Sequence, residues 1–374
     1  NRAAKAGRHV SMGFDDAGRA ADMDAFLARA GWDDAARFPL GQDASTRRYI
    51  RLVRPDKTRA LLMDAPNVED SPCPPDADDE TRIAMGWNAS TRLAASRVDA
   101  FVLVANYLHY RGFRAPEIFA HDSAHGFALI EDFGENLEIA RQIEAGRLDE
   151  QTAYVTAAGV LAELHREEAP DVLSNGAEVW PVLDFDQLAL TSNADLYADW
   201  LRAERGGGPL EGAEREEWEK VRDGLIAQAM EFPRTFTLRD FHAENLLWLG
   251  NGELGLLDFQ DAVRGWDAWD MAMLTQDARR AVSPEAAEAA IRHYLDETGK
   301  SREAFDERLA VIGALNALRI AGVFSRLQHR DNKPRYGLFQ PRQLAILARN
   351  LSHPALKDMN AFVRRTTPFV FEGF

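Results

Sequence analysis

Apolar positions along the chain change their spacing near residue 134. Residues 21–32, ADMDAFLARAGW, read as a short amphipathic helix closed by Gly31. In RFPLGQDASTRRYIRLVRPDKTRALLMDAP, short β-runs are separated by the turn clusters GQDAS and RPDKT, which predicts an antiparallel meander. An acidic, proline-rich segment, SPCPPDADDE, reads as an exposed loop. Residues 88–112 then predict a helix whose face is set by Val98, Phe101, Val102, Ala105 and Leu108, with Gly112 at the C-cap. The run EIFAHDSAHGFALIEDF predicts a hairpin; His121 and His125 fall in its turn, which argues against a metal pair. From Gly134 onward helical periodicity dominates, and the only clear later strands lie between 236 and 259. The expected class is α+β, with a tail over 1–22, a small β-rich N-lobe over 23–132 and a larger, mostly helical C-lobe over 133–374.

Charge narrows the partners. With 44 Lys and Arg against 60 Asp and Glu, the net charge of −16 disfavours binding to a phosphate backbone, so no nucleic-acid partner is expected. The apolar share of 46% suits packed lobes, and the single cysteine, Cys73, cannot form an internal disulfide, so a cytoplasmic location is expected. No apolar run approaches the roughly 18 residues of a membrane helix, so no membrane is expected. The basic first residues lack a following apolar core and do not make a signal peptide; the tail is expected to be flexible.

The segment TFTLRDFHAENLLWLGNGELGLLDFQD carries the chemistry. Asn251-Gly252 suits a two-residue type I′ turn between two apolar runs. If these two residues are the loop, paired numbers sum to 503 and Asn245 lies opposite Asp258. An amide oxygen and a carboxylate are hard ligands suited to Mg²⁺, which takes few protein ligands beside substrate phosphates. Asp240 precedes Asn245 by five residues, and this spacing followed by Asp-Phe is the catalytic-loop arrangement of kinases, here LRD for HRD and DFQ for DFG. Asp240 would then accept or orient the proton of an attacking hydroxyl while Asn245 and Asp258 hold the metal.

LRDFHAEN with LLDFQD, the preceding LAELH and the following WDMAML resemble the aminoglycoside phosphotransferase and choline kinase superfamily. DASTRRYIRL, LLMDAP, GLLDFQDAVRGWDAWD and the distal GVFSRLQHRDNKPRY with QPR are most similar to the bacterial cell-wall amino-sugar kinases. The resemblance implies a bilobal protein-kinase-like fold, ATP and Mg²⁺ as cofactors, and a small-molecule acceptor. It further implies phosphorylation of the anomeric hydroxyl of N-acetylmuramic acid or N-acetylglucosamine in cell-wall sugar recycling. It implies that Asp270 hydrogen-bonds the catalytic-loop backbone, and that adenine is read near Glu131 and Asp132, in the IEDF joining the lobes.

One departure from the kinase pattern stands out. RALLMDAP contains no lysine, Lys57 sits in a turn, and the helix from Asn88 offers only Asp99 as an acidic partner. Arg47 and Arg48 are the candidate cations for phosphate, with solvated surface arginines as the equal alternative; alternation places them on opposite faces. Ser45 and Thr46 are candidates to meet phosphate oxygens, or form a plain turn. His242 and Glu244 either touch substrate or brace the loop. Arg326 and Arg330, in the basic distal run, either face an anionic or neutral acceptor or are solvated. Two other functions stand beside the sugar-kinase reading: a kinase of another small alcohol (an aminoglycoside, choline or homoserine), and a non-catalytic nucleotide-binding regulator. The oligomeric state is left open.

Overall fold

The computed structural model describes residues 16–41, 47–66, 74–94 and 97–373, and the chain divides into two compact units. The first comprises residues up to 68 together with 117–132. Its strands β1 (Ala36–Pro39), β2 (Arg48–Val53), β3 (Arg59–Asp64), β4 (Ile118–Asp122) and β5 (Phe127–Glu131) form one antiparallel sheet in the order β1-β2-β3-β5-β4. Alternation along β2, β3 and β5 sends Leu52, Ala60, Leu62, Phe127 and Leu129 to one face. The helix Asp16–Arg29 covers that face with Met23, Phe26 and Leu27. It begins at Asp16, so residues 16–22 belong to this packed helix and the expected tail is shorter. Gly126, at φ +73°, lets the β4–β5 turn approach Ala65, where a Cβ would come within 2.0 Å of the carbonyl oxygen.

The second unit takes residues 69–116 and 133–374. The expected boundary at 132 therefore needs correction: the described residues 74–94 and 97–116 fall with the helical part. The reason lies in the apolar face of the helix Val98–Tyr110, where Phe101 stacks on Phe259 at 4.9 Å and Tyr107 meets Phe236 at 4.9 Å. The continuous helix expected over 88–112 is also broken, into Trp87–Ser90 and Val98–Tyr110, with Arg92 at φ +57° between them. Among the described residues three two-stranded ladders sit among the helices: β6 (Val172–Ser174) with β7 (Val179–Pro181), β8 (Thr235–Thr237) with β11 (Val263–Gly265), and β9 (Leu246–Gly250) with β10 (Glu253–Leu256). The 28-residue helix Arg302–His329 runs through this unit against Gln187–Trp200 and Gln340–Leu351. Gly322 permits the closest approach, since a Cβ there would lie 2.3 Å from the Leu196 backbone. Among the described residues this helix alone is long and apolar enough to cross a membrane, but 83% of its apolar stretch is buried, as in a core helix.

Candidate active site

Residues 238–245 leave β8 and enter β9, and their conformation is fixed from behind. The carboxylate of Asp270, fully buried on the helix Asp267–Thr275, accepts the backbone N–H groups of Leu238 and Arg239, each at 2.8 Å. Trp269 Nε1 donates to the Arg239 carbonyl at 3.2 Å. The Arg239 guanidinium, whose pKa is lowered by burial, donates to the carbonyls of Thr91 (3.1 Å) and Arg92 (2.8 Å). This accounts for the helix break at residues 91–94, where the carbonyls turn toward the arginine instead of continuing a helical ladder. Behind Asp270, His165 is buried with Nε2 at 3.3 Å from the carboxylate and Nδ1 at 3.1 Å from the Tyr294 hydroxyl.

The β9–β10 hairpin differs from the expected register. Pairs are Leu246 with Leu256, Leu247 with Gly255, and Trp248 with Leu254, then Gly250 with Glu253 after a bulge. Asn251 (φ +54°) and Gly252 (φ +80°) take the left-handed conformations of the turn, but Leu249 is an extra residue on β9 and shifts all later pairs by one. Asn245 is therefore opposite Leu257, whose N–H donates to the Asn245 carbonyl at 2.9 Å, and not opposite Asp258. Asp258 instead leaves the strand at φ +54°. Its Oδ1 accepts from Gln260 Nε2 at 3.1 Å. Asn245 Nδ2 donates to the Asp240 carbonyl at 2.9 Å. Among the described residues no group of three or more His, Cys, Asp and Glu is arranged for a metal. A donor set of one amide oxygen and one carboxylate fits Mg²⁺ far better than a softer ion.

Asp240 opens into a pocket that Met273, Asp277, Arg279, Arg319 and Phe324 help to line. Burial raises its carboxyl pKa, Asp258 raises it further, and Arg319, Arg239 and Arg279 oppose both. His242 is buried, with Nε2 at 2.9 Å from Arg279 Nη1 and 3.2 Å from Asn245 Nδ2. Burial and the neighbouring Arg279 push the imidazole down to about 4, so it is neutral at physiological pH. Glu244 meets Arg279 at 3.7 Å. Arg326 and Arg330 line other ground: Arg326 lies over the Trp87 ring at 5.5 Å, and Arg330 pairs with Asp331 at 2.6 Å and lies over Trp200 at 5.8 Å.

In the first unit, Arg48 pairs with the fully buried Asp64 at 2.6 Å, and Arg19 reaches the same carboxylate at 2.5 Å. Arg47 stands just before β2, while Ser45 and Thr46 lie outside the described residues. Asp132 pairs with Arg51 at 2.7 Å and Arg59 at 3.7 Å, and Glu131 accepts the Glu117 N–H at 3.2 Å. In the second unit Asp99 is taken by Arg97, whose Nε donates at 2.8 Å. Sequence reasoning missed Asp277 and Arg279 in the pocket and the backbone clamp of Arg239. The DARR run that carries the first two has no motif spacing, and only folding brings it to Asp240.

A five-stranded antiparallel unit, a largely helical unit and a buried Asp-x4-Asn loop define the class of phosphotransferases with a protein-kinase-like fold. The chain belongs to the phosphotransferase enzyme family, whose model matches residues 38–308. It is 42% identical to an N-acetylmuramate/N-acetylglucosamine kinase of Caulobacter vibrioides over 94% of this chain and 97% of that one. A protein of the same name from Pseudomonas aeruginosa is 30% identical over 82% of each chain. Among solved structures, a choline/ethanolamine kinase family protein from Mesorhizobium loti matches with a TM-score of 0.53 at 16% identity, covering 94% of this chain and 99% of that one, which speaks for the fold alone.

Proposed function

We propose that this chain is a kinase that transfers the γ-phosphoryl group of ATP, with Mg²⁺, to the anomeric hydroxyl of N-acetylmuramic acid or N-acetylglucosamine. The observation that carries the reading is the 42% identity, over nearly the whole chain, to a kinase named for both sugars. The geometry around Asp240 supports it chemically. Its carboxylate faces the acceptor pocket, where it receives a hydrogen bond from the sugar hydroxyl, aims that oxygen at phosphorus and takes its proton as the new bond forms. An anomeric hydroxyl is more acidic than an ordinary alcohol, so a carboxylate suffices as base. Burial and Asp258 strengthen Asp240 as a proton acceptor, while the surrounding arginines favour its ionised form. Asn245 and Asp258 would hold Mg²⁺, which neutralises charge on the transferred phosphates when bound. Asp270 keeps the loop in register by holding Leu238 and Arg239.

Incubation with ATP, Mg²⁺ and a panel of sugars and amino alcohols, followed by phosphorus NMR, tests the proposal. An anomeric sugar phosphate is the expected product. Phosphorylation of kanamycin, choline or homoserine with neither sugar turned over would replace the acceptor and leave the transfer chemistry standing.

A further inference from the structure

The pocket beside Asp240 contains two cations that converge on it from different elements, Arg279 and Arg319. Arg319 projects from the long helix Arg302–His329, and its guanidinium donates to Asn316 Oδ1 at 2.8 and 3.1 Å. The ring of Trp269 lies beneath it at 5.5 Å. Arg279 bonds the imidazole of His242 at 2.9 Å and pairs with Glu244 at 3.7 Å, with 38% of its side chain exposed. Its segment is pinned, since Arg342 donates to the Ala278 carbonyl at 2.9 Å and the Arg279 N–H donates to Asp277 Oδ1 at 2.8 Å. Burial, and after it the neighbouring Arg239 and Arg279, push Arg319 down to about 10 against the opposing Asp240 carboxylate. Two like charges that converge on one pocket favour an anion between them.

Asp240 and Asp277 also face the pocket, which makes it two-sided instead of uniformly basic. Asp277 Oδ2 is buried and has no hydrogen-bond partner among the described residues, so it is ready to accept from a hydroxyl. Ile320, Val323 and Phe324 supply an apolar wall. The occupant this chemistry describes carries hydroxyls for the aspartates, a methyl-bearing group for the wall and a carboxylate for the arginines.

We infer that Arg279 and Arg319 are the specificity-determining pair of the acceptor site, binding the carboxylate of a lactyl-substituted amino sugar. The inference rests on the sugar-kinase reading above and deepens it, because N-acetylmuramate carries that carboxylate and N-acetylglucosamine does not. Arginine suits the task through its planar fork of donors.

The experiment compares KM and kcat for both sugars in the wild type, Arg279→Gln and Arg319→Lys. Arg279 also braces His242, so its loss affects the turnover of both substrates. The informative quantity is the ratio of the two KM changes. The expected result is that KM for N-acetylmuramate rises at least about tenfold more than KM for N-acetylglucosamine in Arg279→Gln, since a charge-assisted contact is lost for one sugar only. Thermal melting accompanies each variant, and Arg279→Gln, at the partly exposed rim, decides the matter if Arg319→Lys does not fold. Equal changes for both sugars overturn the pairing and leave the kinase reading intact. If the wild type turns over neither sugar, the functional reading fails and this inference fails with it.

Discussion

The Asp270 carboxylate accepts the backbone N–H of Arg239 at 2.8 Å, at a residue whose φ is +75°. A left-handed conformation in a non-glycine residue costs about 1–3 kcal/mol and persists only where its surroundings impose it. Asp270 imposes it from one side, and the Thr91 and Arg92 carbonyls anchor the side chain from the other. The residue that places Asp240 is thus held at both its backbone and its guanidinium.

Asp270→Asn should therefore loosen the loop. An amide supplies one acceptor oxygen where the carboxylate supplied two, and leaves a buried N–H unpaired. The expected cost is about 2–4 kcal/mol of stability, measured by urea denaturation, with kcat reduced by about ten- to a hundredfold. Unchanged turnover would show that the loop holds its shape without this clamp.

Asp240→Asn should abolish most turnover, by about 10²–10⁴-fold, while nucleotide binding followed by calorimetry is retained. Its stability should move the other way. The folded-state pKa of Asp240 is raised, so stability from this group is fully present below the ordinary carboxylate pKa and is lost as pH rises through the folded one, and the buried acid costs stability at neutral pH. A neutral amide removes that cost, and the melting temperature is expected to equal or exceed that of the wild type. A clear fall in melting temperature at pH 7 would contradict the electrostatic picture.

Asp258→Asn removes a charge from the proposed metal site rather than from the acceptor pocket. A Mg²⁺ titration at fixed ATP should show a higher midpoint and lower turnover. If the midpoint is unmoved, another group holds the metal.

His242 gives a pH signature. Its folded pKa lies near 4 against an ordinary 6.5, so the unfolded chain binds the proton more readily between these values. Stability from this group is fully present above about pH 6.5 and is lost as pH falls toward 4, by about 3 kcal/mol in total. The difference in unfolding free energy between wild type and His242→Asn, followed from pH 7 to pH 4, should shift by that order. A constant difference would mean that the imidazole titrates normally.

Arg330→Glu should leave KM for both sugars within about twofold, because the residue pairs with Asp331 at the surface and such pairs contribute about 0–1 kcal/mol. A selective rise for N-acetylmuramate would return it to the acceptor site.

The sequence by itself determined the local backbone patterns. The turn between β9 and β10 was legible because Asn251 and Gly252 have few conformations available. The sheet of the first unit was legible from alternation, since a one-residue slip would turn its apolar face outward. Even locally there was a limit, for nothing in LLWLGNGELGLL marks Leu249 as a bulge; that depends on how β9 packs. The allegiance of residues 69–116, the clamp that Arg239 places on residues 91 and 92, and the meeting of Arg279 and Arg319 beside Asp240 were decided only by tertiary structure. Each joins positions tens of residues apart, and a guanidinium reads the same in sequence whether it faces water, a carbonyl or a pocket. Burial is what gives each of these charges its role, and burial is a property of the folded chain.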